Sequence, residues 1–111
     1  MPHCIIEYSH ELSTKINIKT LMQELYSSMC ASNLFSSDSI KIRAKKYEDY
    51  LLSNKQGFVH ISLYILNTRS EKQKQDLATS IQTSLLKQIT SLDISLTTAI
   101  FELDQQTYQK A

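Results

Sequence analysis

The sequence predicts an α+β protein, an α/β two-layer sandwich in which a four-stranded sheet carries two helices on one face. Two segments have apolar residues at helical spacing, and four short segments are rich in β-branched and aromatic residues. Their order is β-α-β-β-α-β, so two halves, about 2–55 and 57–111, each predict a crossover between strands. Right-handed crossovers place both helices on the same side of the sheet.

The first half begins with a strand over His3–Tyr8 and continues with a helix from about Ser13 to Ser32. Either Ser13 or Thr14 is a suitable N-cap, because a hydroxyl oxygen there accepts a hydrogen bond from the first helical turn. A polar stretch, residues 36–39, predicts a turn after the helix. The helix itself is predicted from five apolar residues that share one face: Ile18, Leu21, Met22, Leu25 and Met29.

A second strand begins at Ile40 and has one apolar and one cationic face, because apolar residues alternate with Lys41, Arg43 and Lys45. Residues 53–57 predict a turn in which Gly57, the only glycine, adopts a positive φ. The next segment, Phe58–Leu66, is almost continuously apolar. It therefore predicts a central strand that is buried on both faces, and a second copy of the chain is the simplest cover for the face without helices.

The second helix is predicted from about Glu71 to Ser91, with Ser70 as its N-cap. Its apolar face consists of Leu77, Ile81, Leu85, Ile89 and Leu92. The last strand, Ile94–Leu103, has apolar residues at even positions up to Ile100 and at odd positions after it. A bulge near that residue would explain the change of phase.

Length and charge exclude several classes of protein. A chain of 111 residues predicts one domain over 1–111. Twelve cationic and eleven acidic residues give a net charge of +1, which does not favour a nucleic-acid partner. No apolar run approaches the ~20 residues of a membrane-spanning helix, and no secretory signal is visible, so we expect a cytoplasmic protein with no membrane partner. The polar residues 104–111 predict a tail or a cover for a neighbouring surface.

Cysteine and histidine do not indicate a metal site. Cys4 and Cys30 are too few for a disulfide framework and are expected to be free thiols that pack in the fold. His3, His10 and His60 have no metal-ligand spacing among themselves or with the cysteines. We therefore expect no metal.

Pro2, the only proline, follows the initiator methionine. Removal of Met1 would leave a secondary amine at the N-terminus. An α-amino group titrates near about 7.7–8.0, and burial or nearby cations would lower its pKa towards neutral pH, where a general base works best. The alternative interpretation is that Met-Pro is an ordinary start.

The two arginines are the other scarce residues. Arg69 is predicted in the loop before the second helix, where α/β sheets often hold ligand-binding groups, and its guanidinium can bind a carboxylate through two hydrogen bonds. Lys41 and Arg43 share one strand face with Lys45. Solvent-exposed loop and strand cations are the plain alternative for all of them.

Taken together, the N-terminal proline, the element order and the positions of the arginines resemble the tautomerase superfamily. Within it, the chain is similar to the 5-carboxymethyl-2-hydroxymuconate Δ-isomerase family over essentially its whole length. The stretches that carry the resemblance are Pro2–Glu7, Ser39–Arg43, Gly57–Leu63, Arg69–Ser70 and Phe101–Leu103.

This resemblance implies a cofactor-free isomerase that moves a proton across a conjugated keto/enol carboxylate. It implies Pro2 as the catalytic base and Arg69 as a cation that binds a substrate carboxylate or stabilises a dienolate. The second-strand cation is either Lys41 or Arg43, since Lys41 stands where the family arginine aligns. A small-molecule carboxylate from aromatic compound catabolism, as in homoprotocatechuate degradation, is the implied substrate, and a homotrimer is the implied assembly.

Two alternatives are compatible with the same residues. One is a binding or interaction protein that keeps the tautomerase fold with weak or no catalysis, which the lysine at position 41 would favour. The other is a tautomerase of different specificity, for example of the phenylpyruvate type.

Overall fold

Four strands form one mixed sheet in the computed structural model, which describes residues 1–111. The elements are β1 (His3–Ser9), α1 (Ile18–Ala31), β2 (Lys41–Tyr47), β3 (Gly57–Leu66), α2 (Glu71–Ile89) and β4 (Ile94–Leu103). The strand order is β2-β1-β3-β4. Strands β1 and β2 are parallel, as are β3 and β4, whereas β1 and β3 are antiparallel. This confirms the predicted fold class.

The hydrophobic core lies between the two helices and one face of the sheet. Burial of each large aliphatic side chain there stabilises the fold by about 1.5–3 kcal/mol. Most of each predicted helical face is buried, namely Leu21, Leu25, Met29, Leu77, Ile81, Leu85 and Ile89. Ile18 and Met22 are half-buried, and Leu92 lies beyond the end of α2. The sheet contributes Cys4, Ile6, Val59, Ile61 and Leu63. Burial raises the pKa of the Cys4 thiol to about 12, so this free cysteine is an apolar packing residue, as predicted.

Helix α1 begins later than predicted. Residues His10–Thr14 form a separate 3-10 helix, and Asn17 is the N-cap of α1, accepting a hydrogen bond from the backbone of Thr20 at 3.2 Å. The predicted start at Ser13 or Thr14 is wrong because the hydroxyls of both residues donate within the 3-10 turn instead.

Helix α2 begins as predicted. The Ser70 hydroxyl accepts from the backbone of Gln73 at 3.1 Å, and the Gln73 side chain accepts from the Ser70 backbone at 2.9 Å. This reciprocal capping box satisfies two backbone donors of the first turn and fixes the helix start directly after Arg69. None of the helices is both long and apolar enough to cross a bilayer.

Gly57 is required for close packing rather than for backbone conformation. The prediction of a positive φ is wrong, because Gly57 begins β3 without one. A Cβ atom at this position would lie 2.6 Å from Oγ of Ser9 and closer still to a carboxylate oxygen of Glu11. Any larger residue would therefore force the side chains of Ser9 and Glu11 to move.

Strand β4 contains no bulge near Ile100. Its register with β3 is unbroken from Ile94 opposite Gly57 to Leu103 opposite Leu66. The apolar phase changes because Phe101 and Leu103 lie on the face away from the helices. Glu102, between them, lies on the helix side and forms an ion pair with Lys74 of α2 at 3.3 Å.

The sheet face opposite the helices, called here the open face, is only partly covered in a single chain. In a single chain, of the open-face residues of β3 only Ser62 is buried, so the predicted burial of both faces depends on a second copy of the chain. Aromatic and aliphatic side chains line this face, namely Ile5, Phe58, Tyr64, Leu66, Phe101 and Leu103. Tyr64 and Phe101 stack there, with ring centroids 5.0 Å apart.

Candidate active site

The amino terminus is held between β1 and β2. Pro2 is buried, and its carbonyl accepts a hydrogen bond from the backbone of Lys41 at 3.0 Å, which extends the parallel ladder by one residue. The amine of Met1 donates to the Ser39 carbonyl at 3.4 Å, and the Ser39 hydroxyl donates to the Met1 carbonyl at 3.1 Å. The start of β2 therefore fixes the position of the first two residues.

This terminus lies in a cationic environment. Burial lowers the pKa of the Met1 amine, and the charges of Lys41 and Lys110 lower it further. A neutral amine is favoured by both effects, because an ammonium would be partly desolvated and repelled. The cations beside the terminus are Lys41, one of the predicted site residues, and Lys110, which the sequence did not single out.

Lys41 and Arg43 both lie on the open face, as the alternation predicts, but they have different partners. The ammonium of Lys41 donates to the Ser39 carbonyl at 3.2 Å, beside the terminus. The Nη1 atom of Arg43 lies 3.3 Å from Nδ1 of His3. Lys45, the third cation of the strand, lies over the Tyr47 ring, 5.3 Å from its centroid and further along the strand from the terminus.

His3 and Tyr108 belong to the same cluster and were not singled out from the sequence. The hydroxyl of Tyr108 lies 2.9 Å from Nε2 of His3, so the imidazole has one partner on each nitrogen. Burial lowers the pKa of His3, and the charges of Arg43, Lys41 and the amino terminus add to the effect. The position of His3 directly after Pro2 was the available signal, whereas no pattern in the polar C-terminal residues marks Tyr108.

The C-terminal segment reaches this cluster through a turn. The Asp104 carbonyl accepts from the backbone of Tyr108 at 3.0 Å, and the Asn67 side chain accepts from the backbone of Gln105 at 3.1 Å. Within residues 104–111 only Tyr108 is half-buried. Tyr108 therefore ties the segment to β1 across the end of the sheet, and the other residues of 104–111 are exposed.

Arg69 lies at the same end of the sheet, in the loop after β3, whose last residues run beside the start of β1. Its guanidinium donates to the carbonyl of Leu34 and lies over the Phe35 ring, 5.4 Å from the centroid. No hydrogen bond links it to Pro2, Lys41 or Arg43. The structure thus gathers Pro2, Lys41 and Arg43 around the terminus and holds Arg69 against the connection between α1 and β2.

The sheet, its two helices and this N-terminal cluster can be compared with known proteins. The chain matches the family model of 5-carboxymethyl-2-hydroxymuconate isomerase over residues 2–111. Together with the solved structures described below, this match defines the class of protein as an isomerase of the tautomerase superfamily. In particular, the chain belongs to the 5-carboxymethyl-2-hydroxymuconate isomerase family.

Three solved structures illustrate the similarity. A 5-carboxymethyl-2-hydroxymuconate delta-isomerase has a TM-score of 0.89 at 17% identity, with 100% of this chain and 87% of that chain covered. A 5-carboxymethyl-2-hydroxymuconate isomerase from Deinococcus radiodurans R1 has a TM-score of 0.89 at 25% identity, with 99% and 88% covered. A fused 4-OT symmetric trimer has a TM-score of 0.71 at 11% identity, with 98% and 93% covered. No curated protein sequence matches the chain.

Proposed function

We propose that the protein catalyses a proton transfer across a conjugated 2-hydroxydienoate dicarboxylate or tricarboxylate, from its 2-hydroxyl group to the distant carbon of the diene, with Pro2 as the general base after removal of Met1. The observation that carries this proposal is the environment of the amino terminus, which is partly buried and flanked by Lys41 and Lys110. Removal of Met1 moves the free amine by one residue, to the proline nitrogen. The same burial and the same cations favour its neutral, basic form there.

The reaction needs only a base and a source of positive charge. The lone pair of the Pro2 nitrogen takes a proton from the 2-hydroxyl group of the dienol, which leaves a dienolate with its charge spread over the conjugated system. The protonated proline then returns the proton to the distant carbon, the 2-oxo group forms, and the double bond moves. Cations close to the substrate lower the barrier because they stabilise the negative charge that develops on oxygen.

Arg69, Arg43 and Lys41 are the substrate-binding residues in this proposal. A dicarboxylate carries two negative groups, and a guanidinium binds each through paired hydrogen bonds more specifically than an ammonium does. The family name supports a muconate-type substrate, as formed in aromatic compound catabolism and in homoprotocatechuate degradation. No cofactor takes part in the chemistry.

A homotrimer is the assembly we propose, because the open face carries an apolar patch where β3 and β4 end, formed by Tyr64, Leu66, Phe101 and Leu103, and the related fused 4-OT protein is a trimer. Packing of the open faces would exclude water from the strand ends. The site near Pro2 would then lie at a boundary between subunits.

The decisive experiment compares three proteins in a ketonisation assay. They are the mature chain beginning at Pro2, a Pro2→Ala variant, and a chain with a Gly-Ser extension ahead of Pro2 that converts its nitrogen to an amide. Turnover should fall at least about a hundredfold in both altered proteins, since general-base catalysis contributes roughly 10²–10⁴. Mass spectrometry must first show that Met1 is absent. Full activity in the extended chain would exclude Pro2 as the base.

The substrate is identified with a panel of 5-carboxymethyl-2-hydroxymuconate, 2-hydroxymuconate and phenylenolpyruvate. A kcat/KM that is highest for the tricarboxylate supports the proposed substrate class. A preference for phenylenolpyruvate would assign the phenylpyruvate type instead. For substitutions of Lys41 or Arg43 in the same assay, the matched control is Lys45→Gln. It removes a cation from the same face of the strand, further from the terminus.

A further inference from the structure

We propose that His3 and Tyr108 position Arg43, so that carboxylate binding depends on a neutral His3 held by the C-terminal segment. This inference rests on the proposed function, because it assigns Arg43 to the binding of the substrate. It adds two positioning residues, one of them in the polar tail, to the residues that would contact the substrate.

The tautomer of His3 follows from the chemistry of its two partners. A guanidinium only donates hydrogen bonds, so the contact of 3.3 Å between Arg43 Nη1 and His3 Nδ1 requires an unprotonated Nδ1. The proton of a neutral imidazole must then be on Nε2, from which it is donated to the Tyr108 hydroxyl at 2.9 Å. Arg43 thus sets the tautomer, and Tyr108, whose hydroxyl can accept from Nε2–H, holds the imidazole ring in place.

The other groups around His3 favour the same neutral form. Arg43 and Lys41 face it from β2, the amino terminus lies on its own strand, Tyr108 approaches from the C-terminal segment, and Tyr64 is its register partner in β3. No carboxylate is among these groups. A proton on Nδ1 would be directed at the guanidinium, and the hydrogen bond to Arg43 would be lost.

The consequence for binding concerns the orientation of the guanidinium. Arg43 is exposed and otherwise has the freedom of a long side chain on a strand surface. One hydrogen bond to His3 restricts it while its remaining donors stay available for a carboxylate. Restriction before binding reduces the entropy that is lost on binding, so affinity should fall when either positioning residue is removed.

The test measures the dissociation constant of muconate, a dicarboxylate without the 2-hydroxyl group, between about pH 5 and 9. In the unaltered mature protein the constant should rise on the acid side, below about pH 6.5, as His3 becomes protonated. Tyr108→Phe should raise it about tenfold at neutral pH, the effect of one hydrogen bond to a charged network. Tyr47→Phe is the matched control, because Tyr47 bonds to Glu7 on the same face four residues further along the strand, and it should leave the constant unchanged.

His3→Asn separates positioning from general structure. An asparagine oxygen lies near the place of Nδ1 and still accepts from Arg43, but it does not titrate. The variant should bind muconate within about threefold of the unaltered protein at neutral pH and lose the rise on the acid side. A merely structural role would not remove a pH dependence selectively.

Nitrogen NMR of the unaltered protein gives a second measurement that does not depend on any variant folding. We expect the Nε2–H tautomer of His3, and the same tautomer in Tyr108→Phe, because the donor Arg43 still requires an unprotonated Nδ1. An Nδ1–H tautomer, an acid rise that persists in His3→Asn, or a dissociation constant unchanged by Tyr108→Phe would each overturn the inference. None of these readouts involves turnover, so a failure of Pro2 as the base is recognised separately, in the ketonisation assay.

Discussion

The guanidinium of Arg69 donates a hydrogen bond to the backbone carbonyl of Leu34, which joins the start of α2 to the connection between α1 and β2. The same guanidinium covers the Phe35 ring. Arg69 therefore already has partners within the chain, and this connection leads directly into β2, which carries Lys41 and Arg43. If Arg69 binds a substrate carboxylate, as proposed, the same side chain also holds the backbone that leads to Lys41 and Arg43.

Arg69→Ala should consequently affect both stability and binding. We expect a loss of about 1–2 kcal/mol in the free energy of unfolding, because a carbonyl partner and a ring contact are removed at a half-buried site. The KM for a dicarboxylate should rise more than that for a monocarboxylate enol. Denaturant titration and steady-state kinetics on the two substrates check these outcomes. An equal rise in both KM values would assign Arg69 a structural role alone.

Arg69→Lys provides the control for charge. It keeps the positive charge but lacks the planar fork of donors that reaches Leu34 and a carboxylate together. We expect its KM to lie between those of the unaltered protein and Arg69→Ala. A KM equal to that of the unaltered protein would show that charge alone is sufficient.

The pH dependence of catalysis should respond to Lys41. Burial and Lys41 both lower the pKa of the Met1 amine. If the Pro2 amine that replaces it is the base we propose, kcat should rise with pH through a pKa lowered by the same two causes and then reach a plateau. In Lys41→Gln one of these causes is removed, the pKa increases, and the rising part of the profile moves to higher pH. Burial, the largest cause, remains.

The control for this experiment is Lys45→Gln, on the same face of β2 but beside Tyr47. Its kcat profile should coincide with that of the unaltered protein. The measurement is kcat as a function of pH for the unaltered protein, Lys41→Gln and Lys45→Gln, each beginning at Pro2. A shift of the same size in both variants would indicate a general effect of net charge rather than a local effect on the amine.

Gly57→Ala should destabilise the fold without touching the candidate site. The added Cβ would enter the space of Ser9 Oγ, which bonds to the backbone of Phe58, and that of the Glu11 carboxylate. We expect a loss of about 1–3 kcal/mol, as for other overpacked positions. Gln56→Ala, at the exposed neighbouring position, should change stability by less than about 0.5 kcal/mol. Denaturant unfolding of both variants tests this, and a Gly57→Ala protein as stable as Gln56→Ala would contradict the packing argument.

Periodicity was sufficient to predict the architecture, because Leu77, Ile81 and Leu85 repeat at a spacing that only a helix brings to one face. It was not sufficient for features that depend on contacts between distant residues. The function of Gly57 depends on Glu11, and the phase change after Ile100 depends on which face Phe101 joins. Neither relationship is visible in a local window.

In the candidate site, too, the residues marked by their type were predicted, and those defined by a contact between distant parts of the chain were missed. The resemblance marked Pro2, Arg69 and, in β2, Lys41 and Arg43, which are residue types that the proposed chemistry needs. His3 and Tyr108 are separated by about a hundred residues and meet only because β4 ends beside β3 and the C-terminal segment turns back towards β1. A tyrosine among polar residues carries no sequence signal of such a contact.

Assembly provides the last prediction, because the open face of the sheet is only partly covered within the chain. Phe101 is 43% exposed although it stacks on Tyr64, and it lies in the apolar patch at the ends of β3 and β4 that a second copy would bury. Phe101→Asp would place a carboxylate in that contact, where an unpaired buried charge is strongly unfavourable.

We expect the unaltered protein to sediment at three times the chain mass of 12.8 kDa and Phe101→Asp to sediment as a single chain. Leu86→Asp is the matched control, because Leu86 is 45% exposed on α2, on the opposite side of the molecule, and should leave the trimer intact. Circular dichroism should show the same secondary structure in all three proteins, since the core between helices and sheet is untouched. A trimer that persists in Phe101→Asp would contradict an interface on the open face. A trimer that dissociates in Leu86→Asp instead would place the interface on the helices.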